Sequence, residues 1–124
     1  MNRLTALSAS LISTLLLAFA PVMLPAQEPV LFNRDIRPIL SENCFSCHGP
    51  DKNKRAADLR LDTEEGLRGA DGTSGAIIPG KPEESLLIQR VIASSPEERM
   101  PPPESGKELK PEEIEILKRW IAEG

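Results

Sequence analysis

The sequence predicts an all-α fold of three main helices joined by long loops. Three observations carry that expectation. Apolar residues recur at helical spacing in three separate stretches, almost no stretch carries a strand signal, and the connections are dense in the chain's 8 glycines and 12 prolines.

The first helix is expected over about Asn33–Asn43, where Phe32, Ile36, Leu40 and Cys44 recur every fourth residue with Ile39 beside them. Asn33 is the candidate N-cap, and Pro38 either starts the helix or kinks one that began earlier. A second helix opens at Pro82, with Glu83 and Glu84 in its first turn, and continues through Leu86, Leu87, Val91 and Ile92. Proline at the first helical position and early acids are start signals with a dipole rationale. Pro111-Glu112-Glu113 repeats that grammar for a third helix, whose apolar stripe Ile114, Leu117, Trp120 and Ile121 buries one face. Lys110 holds its cap position, where Ser, Thr or Asp would serve better. Between the first two helices, Gly49 to Lys81 reads as loop, including the glycine-dense GADGTSGA. Asp62, Glu64 and Glu65 lack the alternating spacing of a calcium loop and read as solvated acidic surface.

The chain's 2 cysteines and 1 histidine all fall within Cys44-Phe45-Ser46-Cys47-His48. Three chemistries use such a cluster. Zinc wants four tetrahedral ligands, and with no second Cys/His pair it would have to borrow carboxylates or a partner chain. A C-x-x-C redox site wants a thiolate at a helix N-terminus, whereas the residues before Cys44 read as a helix end. Covalent haem attachment wants two thiols to add across the vinyl groups and the adjacent imidazole to ligate iron. The inventory meets that third demand with no remainder.

Haem c is normally assembled outside the cytoplasm, so the amino terminus bears on the choice. MNRLTALSASLISTLLLAFAPVMLPAQ has Arg3 as a short positive start and an apolar run from Leu4 to Ala20. It reads as an export signal cut after Ala26, leaving a domain over residues 27–124 in the periplasm or elsewhere in the cell envelope. An uncleaved membrane anchor is the alternative, for which the run is slightly short and broken by Pro21. A plain disulfide is a further alternative in that compartment, though one spanning two residues staples little. Cleavage leaves 98 of the 124 residues and removes Arg3, moving the formal charge from −4 to −5. One small acidic domain with interleaved charges has no basic patch for nucleic acid.

After cleavage only Phe32, Phe45 and Trp120 remain as aromatics, and a domain of this size is marginal unless something adds apolar surface. A buried haem would. Its second axial ligand has one thioether candidate, Met100, in Glu98-Arg99-Met100-Pro101-Pro102-Pro103, where the prolines make a stiff extended strap. A lone methionine is ordinarily a core gap-filler, but this one sits in a polar, proline-rich connection. Paired with His48, it would give the His/Met ligation of electron-transfer cytochromes.

In this order FNRDIRPILSENCFSCHGPD, LRLDTEEGL, IIPGKPEESLLIQRV, RMPPP and LKPEEIEILKRWI resemble a class I cytochrome c, most closely the planctomycete-type cytochrome c family. The resemblance implies a small class I cytochrome c-like fold, three main helices and long loops around one covalently bound haem c. It implies attachment at Cys44 and Cys47 and iron ligation by His48 and Met100. It further implies an electron-transfer domain; with both ligand positions committed the chain reads as a carrier rather than an enzyme, docking redox partner proteins, while its interleaved charge offers nothing to nucleic acid and a membrane is involved only if the N-terminal segment is uncleaved. Ala57-Asp58 departs from the pattern, since small glycines are common before LRLD. Family members often form the N-terminal part of larger secreted proteins, so the chain is either a free-standing cytochrome or the haem module of a longer enzyme. A haem-based sensor or reductase with a labile distal ligand is the alternative; it would want a distal acid–base residue, and no second histidine exists. Arg55, Arg60 and Arg99 are candidates by charge and location to meet the haem propionates.

Overall fold

The computed structural model describes Met23 and residues 26–72 and 74–124. The apolar run Leu4–Ala20 and its reading as an export signal lie outside the described residues. Among the described residues there is no strand, and no helix is long and apolar enough to cross a membrane. A π-helical turn, Phe32–Ile36, runs into α1, Arg37–Asn43, and α2, Phe45–His48, follows Cys44. α3 is Glu64–Arg68, α4 is Leu86–Val91 after a 3-10 turn at Pro82–Glu84, and α5 is Pro111–Ala122 after a 3-10 turn at Pro103–Ser105. The all-α expectation therefore holds, with differences at three helix starts.

Asn33 does not cap the first helix. Leu31 stands at the cap, and its N–H donates to the Asp35 carboxylate at 2.8 Å. Pro38, second in α1, has no N–H to offer the Arg34 carbonyl, and the turn before it is wound wide, with the Arg37 N–H reaching back five residues to the Phe32 carbonyl. The second helix does not run unbroken from Pro82. Ser85 takes an extended ψ of 124°, and its fully buried hydroxyl donates to the Lys81 carbonyl at 2.8 Å and accepts the Ile78 N–H at 2.9 Å. A side chain that bonds its neighbours' backbone competes with the helix and divides it here. α3 is an element beyond the three expected. The Thr63 hydroxyl accepts the Gly66 N–H at 3.2 Å, Glu64 and Glu65 meet the dipole's positive end, and Leu67 is buried.

α5 is as expected, and with no acceptor on Lys110 its first turn is held by Glu113, whose carboxylate takes the Lys110 N–H at 2.7 Å. Leu117 and Ile121 of its inner face meet Ile36 and Leu40 from the N-terminal helix, Ile88 from α4 and Ile77 from the loop, all with at most 2% of their surface exposed. Trp120 lies against Phe32, ring centroids 5.6 Å apart and tilted by 41°. Aromatic pairs in this geometry contribute about 0.5–1.5 kcal/mol beyond their burial. Polar contacts then clasp the segment before the first helix to the end of α5. The Val30 N–H donates to Glu123 at 2.8 Å, Arg119 pairs with Glu123 at 2.9 Å, and the Arg119 guanidinium also donates to the Glu28 carbonyl.

Leu117→Ala should lower stability by roughly 2–5 kcal/mol, read as a fall in the thermal midpoint, because its site is sealed on all sides. The Arg119 hydrogen bond holds the Glu123 carboxyl below its ordinary value of 4.5. A depressed folded-state pKa contributes stability above the unfolded value, and that contribution is lost as pH falls through the folded one. Glu123→Gln should therefore melt slightly below the parent at neutral pH, and the gap should close in acid.

Candidate functional site

The end of α1 builds the site. The Cys44 N–H reaches the Leu40 carbonyl at 2.8 Å, after which Cys44 leaves helical geometry at φ −122°. Its own carbonyl then accepts the N–H groups of Cys47 at 3.1 Å and His48 at 2.8 Å, and so starts α2. Residues three and four apart on such a turn share a face, so Cys44, Cys47 and His48 are brought together by one carbonyl. The following chain is strapped to the same turn. Cys47's carbonyl accepts from Ala56 at 2.7 Å, and His48's from Leu61 at 2.8 Å.

Both cysteines are free thiols, Cys44 half-buried against the core and Cys47 exposed. Burial pushes the Cys44 thiol up to about 11, although Lys107 pulls the other way. It is thus a neutral S–H at physiological pH. A thiol-disulfide centre or a thiolate-bound metal requires the opposite shift. Among the described residues no group of three or more His, Cys, Asp or Glu is placed to hold a metal ion, so a borrowed-carboxylate zinc site has no ligands here.

His48 carries the observation that bears on haem. Its Nδ1 is buried without a hydrogen-bond partner. A buried polar atom left so costs about 1–3 kcal/mol, and no hydrogen bond among the described residues ties the ring to the protein. An imidazole left uncommitted beside two unpaired thiols is able to ligate iron, and the residues present match the group.

The loop after His48 shows what the sequence hid. A Cβ on Gly49 would stand 2.3 Å from the Phe45 carbonyl oxygen, so only glycine lets the chain leave α2 here. Arg55 braces the exit, donating to the carbonyls of Gly49 at 3.0 Å and Pro50 at 3.1 Å while pairing with Asp58 at 3.2 Å. Its side chain is 9% exposed. Ala57 and Asp58, where the pattern favours glycine, both adopt left-handed backbone, at φ 55° and 50°. Arg60 is equally committed, gripping Asp62 through two hydrogen bonds of 3.0 and 2.5 Å. Neither arginine is available as a propionate partner without giving up these bonds.

Met100 lies on a separate segment. Its N–H donates to the Arg90 carbonyl at 2.9 Å, and the Arg99 N–H donates to the Ser95 carbonyl at the same distance, so the expected stiff, extended strap begins as a turn tied to the end of α4. Extended backbone resumes at Pro102, φ −58° and ψ 143°. Met100 and Arg99 are half-buried, and Pro101 is buried. Two clefts, of about 510 and 320 Å3, share Gln27, Ile116 and Arg119, and neither is lined by a residue of the CFSCH turn.

Residues 44–104 match the model of the family described as Planctomycete cytochrome C, a span that takes in Cys44, Cys47, His48 and Met100. No curated protein and no solved structure matches the chain.

Two substitutions test the loop. Ala57→Gly should raise stability by about 1 kcal/mol, since glycine adopts positive φ without the side-chain penalty and repays only part of the gain in chain entropy. Gly49→Ala should lower it by about 1–3 kcal/mol through the clash with Phe45. Chemical denaturation of the two variants beside the parent measures both.

Proposed function

We propose that this chain, whose residues 44–104 belong to the Planctomycete cytochrome C family, is an exported mono-haem cytochrome that carries single electrons between redox partner proteins. Domains of that family bind haem and transfer electrons. The observation that carries the reading here is the conjunction of two unpaired thiols, that of Cys44 kept protonated by burial, with a buried imidazole nitrogen that has no protein partner, all on one turn. Cys44 and Cys47 would hold the group through thioethers, and His48 and Met100 would ligate the iron. Addition of a thiol across a vinyl group consumes the S–H and leaves no charge, which suits a half-buried site. The bound haem supplies a one-electron iron couple.

The protein's own contribution is to hold these ligands still. The Cys44 carbonyl fixes the spacing of the thiols and the imidazole, and the Ala56 and Leu61 amides lock the carbonyls behind them. The tie from Met100 to Arg90 anchors the backbone of the thioether. With His48 and Met100 both committed to holding the group, no protein group would be left to activate oxygen or peroxide, and the surface would have only to dock donor and acceptor. The apolar N-terminal run supports export, and the acidic, interleaved surface supports protein rather than nucleic-acid partners.

Acid–acetone extraction of protein matured in a haem-c-competent host should leave the haem on the chain. Cys44→Ser with Cys47→Ser should release all of it. Met100→Ala should abolish the weak near-infrared sulfur-to-iron band, open the iron to carbon monoxide and lower the reduction potential, because a soft thioether favours ferrous iron. A parent protein that binds carbon monoxide readily, with Met100→Ala changing neither spectrum nor potential, would remove the carrier reading in favour of an open-iron sensor or reductase.

A further inference from the structure

We infer that Arg99 is the guanidinium that receives a haem propionate, an assignment that rests on the haem-binding reading above. The basis is which arginines the fold has already used. Arg55 is spent on two carbonyls and Asp58, and Arg60 on both oxygens of Asp62. Arg34 pairs with Asp35 and Glu28, Arg119 with Glu123, Arg68 donates to the Gly124 carbonyl and Arg90 to the Glu98 carbonyl. The guanidiniums of Arg37 and Arg99 have no hydrogen bond or ion pair among the described residues, and of these Arg37 is exposed while Arg99 is half-buried.

A half-buried cation with no counter-charge pays desolvation without return. Arg99 is held in that state by its surroundings. Its own N–H is bonded to Ser95, the next N–H to Arg90, and the preceding carbonyl to the Arg90 side chain at 3.3 Å, so three consecutive residues are tied by backbone groups. The Arg99 guanidinium is thus a half-buried cation without a partner on a segment whose backbone is fixed. It directly precedes Met100, the proposed ligand, so the guanidinium belongs to the same short, half-buried segment as the thioether. Haem brings two carboxylates with it, and a planar guanidinium matches a carboxylate through a bidentate fork.

The test is resonance Raman spectroscopy and potentiometry on holo-protein. Arg99→Gln should shift the propionate bending mode and lower the reduction potential, since a positive charge near the iron favours the ferrous state. The near-infrared methionine band should stay. Arg99→Lys, which keeps the charge and loses the fork, should shift the mode while largely preserving the potential, and it carries the test if Arg99→Gln yields too little holo-protein. Arg37→Gln removes the same charge from the exposed position and should change neither. An unchanged propionate mode in both Arg99 variants, or an equal response to Arg37→Gln, overturns the assignment while leaving the carrier reading intact. Parent protein that matures without haem overturns both.

Discussion

One carbonyl oxygen, that of Cys44, sets the geometry on which the rest depends. It accepts the amides of Cys47 and His48 at 3.1 and 2.8 Å, and the amide of the same residue closes α1 on Leu40. A single residue is thus the last link of one helix and the first of the next. Everything upstream places it: the Ile36–Leu40 face is packed under α5, and Phe32 is pinned by Trp120. Everything downstream stabilises its consequence, since the amides of Ala56 and Leu61 and the fork of Arg55 hold the loop that leaves the turn.

The fold leaves a specific imbalance at that turn. The carbonyls of Cys44, Cys47 and His48 are paired, yet the imidazole keeps a buried nitrogen without a partner and the cysteines stay unjoined. Burial that raises the Cys44 pKa removes the reactivity that a redox or thiolate-metal centre would need. It costs nothing to a chemistry that ends in neutral thioethers. The left-handed Ala57 and Asp58 are a second local cost, borne because Arg55 and the Ala56 amide bind that loop to the site.

How much of this was legible in the sequence follows from which interactions are local. The CFSCH cluster, the α5 stripe and the first helix's apolar face are patterns in consecutive residues, and they stand where expected. The break at Ser85 was not legible, because its cause is a hydroxyl meeting backbone at Ile78 and Lys81, a fit that only the folded chain creates. α3 could have been read: Thr63 followed by two glutamates is a start signal, obscured by setting the acids aside as surface. Pro38 leaves the helix start ambiguous in the sequence, and the wide turn that resolves it, with the Leu31 N–H on the Asp35 carboxylate, exists only in the folded chain. Among three equally plausible arginines, only the partners seen in space separate Arg55 and Arg60 from Arg99.

The central claim, that the Cys44–His48 turn carries one covalent haem, is tested most directly by peptide mass mapping of the exported protein. Trypsin should cut after Arg34 and Lys52 and spare the Arg37–Pro38 bond, giving a single peptide that spans the turn. The account predicts that this peptide alone carries the mass of one haem, and that neither of its thiols can be alkylated. The same peptide recovered without haem, its thiols free or joined to each other, would contradict it.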